Sequence, residues 1–106
     1  MSLDVYLTVG EEQVFEANIT HNLGAMAREA GIYTYLWRPE ELDITKAGEL
    51  VEPLRTGMAA MCAEPSKFEA LNASNGWGTY EQFLPWIAKY FEACAANPDA
   101  TVRASR

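Results

Sequence analysis

The sequence predicts an α+β domain in which a small antiparallel three-stranded sheet, an N-terminal hairpin plus a C-terminal strand, packs against three or four helices. Three observations carry this. Two alternating segments meet at a turn within the first twenty residues, apolar residues then recur at helical spacing from Leu23 to Cys94, and a short β-branched stretch follows the last helix breaker. At 106 residues and 49% hydrophobic content, the chain should form one compact domain, residues 1–106, with its own core.

Leu3, Val5, Leu7 and Val9 alternate with Asp4, Tyr6 and Thr8, the period of two of a half-buried strand. Gly10-Glu11-Glu12 supplies a turn, and a partner strand follows with Phe15, Ala17 and Ile19 on its apolar face. Thr20 is placed to cap a helix bearing Leu23, Met26, Ala27 and Ala30, which Gly31 closes. Ile32 to Trp37 is dense in apolar residues and predicts a short helical or irregular segment, ended by Arg38-Pro39 because proline disfavours helical geometry in the residue before it. Asp43 or Thr45 can cap the next helix, whose stripe is Ala47, Leu50, Val51, Leu54, Met58 and Met61. Pro53 within that stripe predicts a kink or break, since its ring removes one backbone hydrogen bond and crowds the preceding turn. Ser66 is placed to cap a single turn carrying Phe68 and Leu71, and residues 72–78 read as a loop. Thr79-Tyr80-Glu81-Gln82 fits a capping box for the last helix, with Phe83, Leu84, Ile87, Tyr90, Phe91 and Cys94 on its apolar face and Pro85 predicting a bend. Asn97-Pro98-Asp99 breaks that helix, and residues 101–106 supply the third strand, Val102 and Ala104 on one side. The sheet needs it, because an isolated hairpin is marginally stable.

A net charge of −7, from fifteen acidic and eight basic residues, argues against direct nucleic-acid binding, which depends on lysine and arginine neutralising phosphates. The acidic surface serves solubility, or attracts a basic protein partner; imitation of a phosphate backbone is a weaker third use. No basic-then-apolar leader and no membrane-length apolar run is present, so a soluble, cytoplasmic protein without membrane association is expected. Cys62 and Cys94 fall on or beside apolar stripes and are expected as reduced core thiols, with neither a disulfide nor a zinc site favoured. No cofactor or metal is expected.

Three clusters are candidates for binding. The lone histidine, His21, stands near a predicted helix start among Asn18, Thr20 and Asn22, where the helix dipole favours the neutral ring. It serves there as a base or hydrogen-bond acceptor, or ties strand to helix. Trp37-Arg38-Pro39-Glu40-Glu41 offers a stacking surface, a guanidinium fork and two carboxylates at a bend; a tryptophan anchor with Arg38 paired to a neighbouring carboxylate is the favoured use. Asn75-Gly76-Trp77-Gly78-Thr79-Tyr80 sets a tryptophan between glycines ahead of a helix start, without the lysine of a phosphate-binding loop. Trp77 is expected to fold back on the core; otherwise it is an aromatic anchor of the kind central to interfaces. No nucleophile motif occurs, and no catalytic residue is assigned.

The segments Asn18-Ile19-Thr20-His21-Asn22-Leu23, Gly31-Ile32-Tyr33, Leu36-Trp37-Arg38-Pro39-Glu40-Glu41 and Asn75-Gly76-Trp77-Gly78-Thr79-Tyr80 resemble a family of small uncharacterised bacterial and phage proteins. The resemblance extends from Ser2-Leu3-Asp4-Val5-Tyr6-Leu7 to Pro98-Asp99-Ala100. It implies a stand-alone bacterial or phage domain and assigns no substrate, cofactor or catalytic residue.

The expectation is therefore a small acidic binding domain that docks on a cellular protein as an inhibitor or adaptor, with His21, Asn22, Trp37, Arg38, Glu40, Trp77 and Tyr80 as candidate binding residues. The alternative is a small-molecule or enzymatic pocket around His21, Arg38 and Trp77. Exposed aromatics or a strand edge would also allow a homodimer.

Overall fold

The computed structural model describes residues 2–106 and shows the expected α+β architecture. Strands β1 (Ser2–Val9) and β2 (Glu12–Thr20) form the hairpin, and β3 (Thr101–Ser105) pairs antiparallel with the other edge of β1, giving the order β2-β1-β3. Leu3, Val5 and Leu7 of the central strand are fully buried, with Ala17 and Ala104 opposite Val5 and Phe15 and Val102 opposite Leu7. Asp4, Tyr6 and Thr8 occupy the other, partly solvated face. Two details depart from simple alternation. Val9 is exposed at the end of β1, and the register shifts between Leu7 and Thr8, so Val14 is an extra residue bulged out of β2.

Thr20 accepts a hydrogen bond from the Asn22 amide at the start of a 3₁₀ turn, His21–Leu23, which leads into α1 (Gly24–Glu29); Gly31 then adopts the left-handed φ that ends the helix. Ile32 leads into the one-turn helix α2 (Tyr33–Trp37). Neither Asp43 nor Thr45 caps the following helix. Asp43 instead closes a 3₁₀ turn over Pro39–Leu42 in left-handed geometry, and Thr45 and Lys46 are extended beside β3. Their amides bind the Glu49 carboxylate at 2.9 and 3.1 Å, the Lys46 bond chiefly holding its pKa below the usual glutamate value.

The break expected near Pro53 falls just before it. Ala47–Leu50 is 3₁₀, and α3 (Val51–Ala63) begins two residues before the proline, so Pro53 sits in the first turn, where its missing N–H costs nothing. Gly57 of α3 lets the helix touch Ile32: a Cβ there would lie 2.5 Å from Ile32 Cγ2. Ser66 is not a cap, because Pro65 takes the first position of α4 (Pro65–Glu69), which buries Phe68 and leaves Leu71 largely exposed. The capping box forms as predicted at α5 (Tyr80–Ala96), which runs through Pro85 and buries Phe83, Ile87, Tyr90 and Cys94 against the sheet and α3. Cys94 is a core thiol, its pKa pushed up to about 12 by burial, whereas Cys62 points outward on α3; both are free. No helix among the described residues is long and apolar enough to cross a membrane.

Candidate functional site

The hairpin's end, the 3₁₀ turn after it and the loop before α5 enclose an open groove of about 1000 Å³. Ser2, Asn18 and Thr20 line it from the hairpin, His21 and Asn22 from the turn, Asn75 to Gly78 from the loop, and Gln82 and Trp86 from α5. The sequence clusters around His21 and Trp77 thus converge, although 56 positions separate them (77 − 21).

Loop 72–79 is held by its own polar groups. The Trp77 amide donates to Asn75 Oδ1 at 2.9 Å, the Trp77 carbonyl accepts from Asn22 Nδ2 at 2.8 Å, and the Ala73 amide donates to the Gly78 carbonyl at 3.0 Å. Gly78 has φ of 111° and packs so close to the hairpin that a Cβ would meet Asn22 Cβ at 3.0 Å and Thr20 Cγ2 at 3.2 Å. Trp77 does not fold back on the core. The residue is 71% exposed, on a backbone whose amide is tied to Asn75 and whose carbonyl is tied to Asn22.

Trp37 behaves oppositely. It is buried, stacked on Tyr33 at 5.1 Å, and donates from Nε1 to His21 Nδ1 at 2.7 Å. The bend at Arg38-Pro39 therefore exposes no stacking surface. Arg38 pairs with Glu41 at 2.9 Å, and this partner chiefly raises its pKa. Glu40 pairs with Arg106, which also donates to the Trp37 carbonyl at 2.8 Å. Arg38 and Glu40 do not line the groove, and Tyr80 faces away from it, donating to the Met61 carbonyl at 3.0 Å and stacking with Phe68. Of the seven predicted residues, His21, Asn22 and Trp77 belong to the groove, and Trp37 supports it from behind.

The bond from Trp37 decides what His21 can do. With Nδ1 accepting, the neutral ring carries its proton on Nε2, so the histidine is a donor rather than a base. It is also the one titratable side chain among the lining residues. Among the described residues no group of three or more His, Cys, Asp or Glu could hold a metal ion. Asn18 and Asn75 line the groove as members of the His21 and Trp77 clusters, Gln82 was read only as part of the capping box, and Trp86 is the lining residue that sequence reasoning did not single out. Trp86 lies three residues after Phe83 and four before Tyr90, at the edge of the α5 stripe, and its indole donates to the Asn18 carbonyl at 3.0 Å. That edge position was the available signal. Comparison with protein-family models, curated proteins and solved structures finds no match for the chain.

Proposed function

We propose that the protein is a bacterial or phage docking domain that binds a cellular protein through this groove, with Trp77 as anchor, acting as an inhibitor or adaptor. The observation that carries the proposal is the exposed Trp77 ring on a backbone pinned by Asn75 and Asn22. A tryptophan on a fixed backbone spares the loop an ordering cost on association, and its large amphipathic ring is of the type that dominates interface hot spots. The net charge of −7 adds long-range attraction for a basic partner. An enzymatic or anion-binding pocket has less support, since Arg38 is engaged with Glu41 outside the groove and His21 Nδ1 is already bonded.

The test is affinity capture from bacterial lysate at low and moderate salt, with the wild-type protein beside Trp77→Ala and, as a control, Leu42→Ala at another exposed apolar residue. A protein captured by wild type and Leu42→Ala, lost with Trp77→Ala and weakened by salt is the expected result. An identical set of captured proteins from all three would sink the proposal.

A further inference from the structure

The lining of the groove holds no aspartate, glutamate, lysine or arginine, yet it is rich in polar atoms whose partners fix which end stays free. Asn18 Nδ2 donates to Asp4 Oδ1 at 2.7 Å and to Ser2 Oγ at 2.9 Å, and Asn22 Nδ2 donates to the Trp77 carbonyl at 2.8 Å. Both residues therefore keep an amide oxygen without a partner among the described residues. Asn75 and Gln82 do the reverse: Asn75 Oδ1 accepts from the Trp77 amide, and Gln82 Oε1 from the amides of Gly78 and Thr79 at 3.2 and 3.1 Å, so each keeps its nitrogen. His21 adds an Nε2 donor, because Trp37 holds Nδ1. Carboxylates and carbonyls take only N–H groups and backbone amides only oxygen, which settles the orientation of all four carboxamides. Free acceptors and free donors thus stand together beside the exposed Trp77 and the half-buried Trp86.

We infer that the groove binds a neutral oligosaccharide, with Trp77 stacked on a pyranose ring and the carboxamides of Asn18, Asn22, Asn75 and Gln82 bonded to its hydroxyls. A hydroxyl carries one donor and two acceptor lone pairs on the same atom, so a lining that mixes amide oxygens with amide nitrogens can satisfy several of them at once. The C–H face of a pyranose is apolar and slightly positive, and it lies flat on the negative face of an indole. A volume of about 1000 Å³ stands at the upper end for small-ligand sites and suits several linked rings better than one. Other occupants fit less well. A nucleotide would bring phosphates to a lining without lysine or arginine on a chain of net charge −7. A proline-rich segment would bring acceptors alone and leave the Asn18 and Asn22 oxygens unmatched. A peptide strand added along β2 would compete with Trp86 for the Asn18 carbonyl, which already accepts from that indole at 3.0 Å. Sugar binding does not depend on the docking proposal; both use Trp77, and a sugar and a protein partner would exclude each other there.

The probes are three neutral hexasaccharides, maltohexaose, cellohexaose and chitohexaose, each titrated into the ¹⁵N-labelled full chain. Three controls separate the contributions: sorbitol has hydroxyls without a ring face, adenosine has a flat ring without a pyranose, and hexagalacturonate has the rings with negative charge. The expected result is that at least one neutral hexasaccharide, at millimolar concentration or below, moves the Trp77 indole signal together with the side-chain amide signals of Asn75 and Gln82. Trp77→Ala should keep its melting temperature and weaken binding by at least about tenfold, Trp77→Phe should fall between it and the wild type, and Leu42→Ala should bind as the wild type does. No movement with any of the three at millimolar concentration, equal movement with any control, or full binding by Trp77→Ala would overturn the inference. If lysate capture depends on Trp77 while no hexasaccharide binds, the sugar site fails and the docking proposal stands. If a hexasaccharide binds as expected while capture does not depend on Trp77, the docking proposal fails and the sugar site stands.

Discussion

The indole of Trp37 donates to His21 Nδ1 at 2.7 Å, joining a buried ring of α2 to the turn that lines the groove. Behind it, Tyr33 stacks on Trp37, and the Arg28 guanidinium lies 3.9 Å from the Tyr33 ring centroid. One row of side chains thus runs from the helical layer to the groove.

That row makes His21 a structural residue as well as a lining one. His21→Ala should lower stability by about 1–3 kcal/mol, the range for a buried donor left without a partner. Urea unfolding measures the loss. Independently, ¹⁵N spectra of the neutral ring should show the proton on Nε2, and a ring protonated on Nδ1 would contradict the geometry.

Gly57→Ala places a methyl 2.5 Å from Ile32 Cγ2, so α3 or the start of α2 must shift. A loss of about 1–3 kcal/mol is expected, as for other overpacked cores. Ile32→Ala removes Cγ2, so its cost in the Gly57→Ala background should be smaller than in the wild type, and an additive loss on combining the two would argue against the contact.

The two cysteines should differ in reactivity. An aromatic disulfide reagent at mildly alkaline pH should modify Cys62 quickly in the folded protein and Cys94 only on unfolding, because burial both covers the Cys94 thiol and pushes its pKa up to about 12. Cys62→Ser should abolish the fast phase.

Glu49 links acid sensitivity to the entry of α3. Its folded pKa is lowered by the Lys46 and Thr45 amides, so its contribution to stability is present above the ordinary glutamate pKa and lost as pH falls through the folded value. In a carboxyl-detected titration Glu49 should titrate below the glutamates with free carboxylates. Glu49→Gln should flatten this part of the acid-side stability curve.

Much of the fold was legible because local rules sufficed for it. The alternation of Leu3, Val5 and Leu7, the Thr79–Gln82 capping box and the Asn97-Pro98 break are short-range patterns, and each element they predict is present. Caps were less secure where a long-range partner competed: Thr45 and Lys46 lie along β3, and the cap position falls to Lys46 rather than Asp43 or Thr45. The exposure of Cys62 is of the same kind, since an apolar stripe shows which face is buried but not how wide the covering layer is.

By itself, then, the sequence determined an acidic α+β chain with a hairpin, a final strand and helices between, since period, turn chemistry and charge act over a few residues. Only the tertiary structure decided that β1 is central, that Trp37 is buried while Trp77 is exposed, and that His21, Asn75 and Gln82 keep donors free. The fates of the two tryptophans depend on bonds to distant partners, His21 for one and Asn22 for the other. Partners 16 and 55 positions away meet only once the sheet and helices have packed.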